Sequence, residues 1–132
     1  CSTYPLSIAV DRIRMKLYWL ESGQVINRAD FDGGNVEQVV TSGMNNAVAI
    51  GLDAVNAKVY WSDESANTGA MFVGARIKRA NFDGSNNEDV VSRFHGSPVY
   101  LTVDPEGGKI YWTDSWFNDV RSVGMDGVGL GL

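Results

Sequence analysis

The sequence has 132 residues, 44% of them apolar and 20% charged, with a formal net charge of −5. Such a composition excludes a disordered or low-complexity chain and leaves room for one modest core. The acidic balance, with Lys78-Arg79 as the nearest approach to a basic cluster, excludes a nucleic-acid-binding face, and no apolar run reaches the roughly 20 residues of a membrane helix.

The chain opens on Cys1 without a starting Met, which predicts a processed chain or part of something longer. Cys1 is the only cysteine, so an intrachain disulfide is impossible. A chain boundary at this residue, a bond to a missing neighbour and a lipid-modified terminal Cys are all open readings. There is no Asn-x-Ser/Thr sequon.

From there one pattern runs three times. An apolar strand ends in Asp11, Asp53 or Asp104. Eight residues later comes Tyr18-Trp19, Tyr60-Trp61 or Tyr111-Trp112. An Asp-Gly turn follows, as Phe31-Asp32-Gly33, Phe82-Asp83-Gly84 or Met125-Asp126-Gly127. Register this strict predicts a stacked repeat. In the middle copy four strands are predicted, over 48–53, 58–63, 76–82 and 89–91, separated by Gly, Asn or Asp turns. Neighbouring strand residues point to opposite faces. A Tyr next to a Trp therefore predicts a strand buried on both sides, as in radially stacked blades and unlike an open sandwich. The predicted fold is all-β, a propeller of four-stranded antiparallel blades. Residues 1–47 form the first blade, 48–98 the second and 99–132 a third with an incomplete outer strand.

Tyr111-Trp112-Thr113-Asp114, nearly repeated as Tyr60-Trp61-Ser62-Asp63, resembles the YWTD repeat of low-density-lipoprotein-receptor class B propellers. The words around it match too, notably Ile77-Lys78-Arg79-Ala80-Asn81-Phe82-Asp83-Gly84 and the closing Val90-Val91. The resemblance implies a six-bladed propeller of which this chain is half, without enzymatic activity or cofactor, found in extracellular or cell-surface proteins and binding protein ligands. It also implies that Glu21, Asp63 and Asp114 tie neighbouring strands together through backbone hydrogen bonds. The first copy departs from the pattern, reading Tyr-Trp-Leu-Glu. Three blades do not close a ring of about 4–8. Further blades are expected from the same parent, a second copy or another subunit.

Asp11, Asp53 and Asp104 are expected to cap the first hairpin turn of each copy, with Lys16, Lys58 and Lys109 following at fixed spacing, and the Asp-Gly pairs are expected to be turns. None has the ligand order of a calcium loop. His95, the only histidine, excludes multi-histidine metal sites within the chain and is placed in a link between blades. No metal, cofactor or catalytic residue is predicted.

In an up-and-down blade the second turn and the link to the next blade lie at one end. Sequence variation gathers there: Met44 in 42–47, Met71 and Phe72 in 65–74, Arg93, Phe94 and His95 in 93–97, Trp116 and Phe117 in 115–119. These are residue types enriched at interface cores, on loops of a rigid scaffold. The expected function is a non-catalytic protein-interaction module. The alternatives are a self-assembling structural subunit and, more distantly, a propeller lactonase-like enzyme.

Overall fold

The computed structural model describes residues 3–64 and 73–131. Among these residues every element is a strand, and the strands make three antiparallel sheets in simple up-and-down order. Blade 1 holds β1 (Pro5–Asp11), β2 (Lys16–Glu21), β3 (Val25–Asp30) and β4 (Glu37–Val40). Blade 2 holds β5 (Ala47–Asp53), β6 (Lys58–Asp63), β7 (Val73–Asn81) and β8 (Glu88–His95). Blade 3 holds β9 (Pro98–Asp104), β10 (Lys109–Asp114) and β11 (Asp119–Gly124). Beyond β11 a single bridge, Ser122 to Gly131, stands where the other blades begin their fourth strand.

The outer hairpin of blade 2 is longer than expected. β7 and β8 continue through three register shifts to pair Val73 with His95. Residues 93–95, expected in a connecting loop, therefore belong to a strand.

The blades stack face to face, and β6 shows how. Trp61 and Tyr60 are 0% and 1% exposed yet sit in different cores. Trp61 packs with Tyr18, Leu20, Ile26 and Val39 of blade 1, whereas Tyr60 shares the second core with Leu101, Ile110 and Trp112 of blade 3. Strand alternation sends the two rings to opposite sides. The end blades complete the pattern. Trp112 faces blade 2 and is buried, as is Tyr18, but Trp19 and Tyr111 point outward and are only half-buried.

Each blade also holds its neighbour by polar contacts. Arg28 donates from Nη1 to the Phe82 carbonyl at 2.9 Å, and Arg79 at the matching position donates to the Met125 carbonyl at 2.7 Å. Each guanidinium is steadied by a phenol (Tyr18 or Tyr60) and by an ion pair with the facing acid of the fourth strand, Glu37 or Glu88. Burial pushes both phenols above their ordinary pKa, so they stay neutral partners. On the Arg28 side Phe82 lies on Tyr18, ring centroids 4.7 Å apart, and the Arg14 guanidinium lies 5.2 Å from the Phe82 centroid while reaching the Ala54 carbonyl.

The Asp-Gly turns take part in stacking. Gly33, Gly84 and Gly127 share a left-handed φ of about +85°. At Gly84 and Gly127 a Cβ would run into the carbonyl oxygen of Val39 or Val90 in the preceding blade, while at Gly33 it would meet nothing within 4 Å.

Surface acids give the fold a pH dependence. The hydrogen bond from Lys16 holds Asp30 below its ordinary 3.8, that from Arg28 holds Glu37 below 4.5, and that from Ser85 holds Asp83 below 3.8. A depressed folded-state pKa adds stability that is complete above the unfolded value and is lost as pH falls through the folded one. Thermal melting is expected to be flat from neutrality to about pH 5 and to drop steadily below that, down to and past the range of these carboxylates. A melting temperature unchanged at pH 3 would show that these contacts contribute nothing.

Candidate interaction face

The acids at the strand ends sort into two structural roles. Asp11 Oδ1 accepts the N–H groups of Ile13 and Arg14, and Asp53 Oδ1 those of Val55 and Asn56, with the Asn56 amide on Oδ2. Asp104 accepts from Gly107. Each carboxylate thus closes its own hairpin turn. Two of the three repeat lysines reach past these acids to the third strand, Lys16 to Asp30 and Lys58 to Asn81. Asp32, Asp83 and Asp126 each accept the N–H two residues on, the arrangement of an Asx turn.

The acids after the Tyr-Trp pair work at the other end. Asp63 accepts the N–H groups of Asn45 and Asn46, both at 2.9 Å, from the link that enters blade 2. Asp114 Oδ1 accepts Ser97 N at 3.0 Å from the link that enters blade 3, together with Trp116 N and Phe117 N from its own turn. Glu21 differs, accepting the Asn27 side chain at 2.7 Å. Each link is thereby pinned to a turn: Glu64 N donates to the Asn46 carbonyl, Ser115 N to the Ser97 carbonyl, and the Ser97 hydroxyl to Glu64.

On this pinned base the expected contact residues divide. Trp116 and Phe117 form the turn between β10 and β11 and are 51% and 41% exposed. The Arg121 guanidinium lies 3.8 Å from the Phe117 ring centroid and pairs with Asp119, fixing that ring in place. Arg93 and His95 are exposed on β8. Phe94 between them corrects an expectation: it is buried, 5.4 Å from Trp112, because the lengthened strand turns it into the second core. Met44 is half-buried against the first core. Met71 and Phe72 lie outside the described residues. The arginine contacts between blades were not anticipated, although the signal was present: Arg stands three residues before Phe-Asp-Gly in two copies, and Ser122 replaces it in the third.

No family model matches the sequence. A superposition on a chain of the nidogen/laminin complex covers 96% of this chain and 46% of that one, with a TM-score of 0.77 and 23% identity. The chain has the YWTD β-propeller fold. This YWTD-type segment also superposes on a putative TolB from Agrobacterium tumefaciens (TM-score 0.70, 17% identity, 99% of this chain and 48% of that one). A manganese-bound oligogalacturonate lyase matches over 94% of this chain and 38% of its own, with a TM-score of 0.67 and 10% identity. Among curated proteins, cueball of Drosophila yakuba is 32% identical over 121 residues, which is 89% of this chain and 18% of that protein. Cueball of Drosophila sechellia is 30% identical over 83% of the chain. The chain spans less than a fifth of the length of these curated relatives.

Proposed function

We propose that this propeller segment is a non-catalytic protein-interaction module, extracellular or at the cell surface, which binds a protein partner through the end that carries the second turns and the links. The observation that carries the reading is the Trp116–Phe117 turn. Two adjacent large aromatics stand out at this end of the scaffold, and Asp114 and Arg121 hold them rigidly. Preorganised aromatic anchors of this kind dominate binding energy at protein interfaces. The nidogen chain of similar fold comes from a complex with laminin, which supports a protein ligand. The strand-end acids described above accept backbone or side-chain donors of the scaffold, Asp11, Asp53 and Asp104 from their own turns, Asp63 and Asp114 from the links and Glu21 from Asn27, which favours a structural role for them over chemistry. Blades from outside the chain complete the ring.

The test is binding of the chain to a panel of extracellular matrix proteins that includes laminin, repeated with Trp116→Ser/Phe117→Ser. The double variant is expected to lose at least about 10-fold in affinity, in keeping with two interface aromatics, with a melting temperature within about 2 °C of the parent. A large loss of stability with binding intact would make the two rings packing residues.

A second reading has its own support. The outward faces of blades 1 and 3 expose Leu6, Ile8, Val10, Tyr100 and Val120, and clustered apolar residues of this kind mark interaction surfaces. On this reading the faces themselves are the function and the chain is a self-assembling structural subunit. Light scattering separates the two readings: an isolated chain that stays at 14.4 kDa favours the first.

A further inference from the structure

The two outward faces are unequal, and the two internal joints show how. At each joint the leading blade presents small residues on its inner strand toward its neighbour, Ser7 and Ala9 in blade 1, Ala49 and Gly51 in blade 2. The approach there is close, since a Cβ on Gly51 would press Val103 Cγ2 at 3.1 Å and Leu101 Cδ2 at 3.4 Å. The leading blade also supplies the arginine that spans to the neighbour's Phe82 or Met125 carbonyl. The receiving blade answers with aliphatic residues, a Trp, and an Asp-Gly turn set under the leading blade's fourth strand.

The outward face of blade 1 repeats the receiving pattern in full, with Ile8, Val10, Trp19 and then Phe31-Asp32-Gly33. Phe31 is 43% exposed, and the space over Gly33 is empty. The outward face of blade 3 breaks the leading pattern. Tyr100, 68% exposed, stands where Ser7 and Ala49 stand, Thr102 replaces Ala9 and Gly51, and Ser122 replaces Arg28 and Arg79. Gly131 pairs with Ser122 as Glu37 pairs with Arg28 and Glu88 with Arg79, so the arginine and its carboxylate are missing together.

We propose that the outward face of blade 1 docks a four-stranded blade bearing small residues on its first strand, Tyr on its second and Arg on its third, the guanidinium bonding the Phe31 carbonyl, and that a second copy of this chain is not that partner. The proposal rests on the reading above that outside blades complete the ring, and it names the chemistry of the one that precedes. A phenol at position 100 blocks the close approach of inner strands, and a serine hydroxyl does not bridge the gap that the arginine spans.

The probe is this chain with its last blade rewritten to the leading pattern: Tyr100→Ala, Thr102→Gly, Ser122→Arg, Gly131→Glu and a Val-Val pair appended after Leu132 to match Val39-Val40. At micromolar concentration the unaltered chain is expected to scatter light at its own mass. The rewritten chain is expected to assemble head to tail, about 10- to 100-fold more tightly, as a charge-assisted hydrogen bond and relieved overlap permit. Adding Gly33→Ala disperses the assembly, while the same change in the unaltered chain leaves its near-ultraviolet dichroism intact. Self-association of the unaltered chain as tight as that of the rewritten one overturns the proposal. So does a rewritten chain that is folded by dichroism yet monomeric, or an assembly indifferent to Gly33→Ala. Should the full rewrite not fold, Ser122→Arg/Gly131→Glu alone must raise self-association above the unaltered chain, and its failure to do so overturns the proposal equally. Trp116→Ser/Phe117→Ser leaves this assembly unchanged, so loss of the partner-binding reading and loss of this one are read separately.

Discussion

Trp61→Ala is expected to destabilise the chain by about 3–5 kcal/mol, the cost of emptying a site filled by a fully buried aromatic. The control is built into the repeat. Trp19 holds the same place in blade 1, but its face has no neighbour and the ring is half-buried, so Trp19→Ala is expected to cost about 1 kcal/mol, near the centre of ordinary substitutions. Urea unfolding of both variants measures the difference. Equal losses would mean that Trp61 is stabilised within its own sheet and that the blades do not share a core.

A second large effect is expected at Gly84. Replacement by Val forces a branched side chain into a left-handed backbone and drives its Cβ into the Val39 carbonyl. The combined cost of strain and overlap is about 3 kcal/mol or more. Gly33→Val imposes the same backbone strain at φ +85° with open space around it, and is expected to cost about 1–2 kcal/mol. Equilibrium unfolding of the two variants isolates the contribution of the close approach between blades. A Gly84 variant no worse than its Gly33 counterpart would place the turn away from its neighbour.

Most of the scaffold could be read from residue spacing, and the reason is physical. Asp11 and Asp53 cap turns only a few residues away, so local chemistry fixes their role. Tyr60 and Trp61 announce a two-faced strand because strand geometry leaves adjacent side chains no common side. What depended on partners distant in sequence was harder to see. Phe94 looked like a loop residue because the register shifts that prolong β7 and β8 leave no mark in composition, and its burial comes from Trp112 eighteen residues on. The bridging roles of Arg28 and Arg79 were not anticipated, since each meets its carbonyl more than forty residues away. The variable loops were legible as variable, but burial divides them: Trp116 and Phe117 stand out, while Met44 turns inward.

That adjacent rings of β6 serve separate cores makes the middle sheet a keystone. Thermal energy can strip blade 1 or blade 3 by severing one seam, but β6 melts only if both seams part. Amide protons of β6 should therefore exchange with solvent more slowly than those of β1 or β11, and a lesion at an end should fray one flank while a lesion at the centre collapses the whole array.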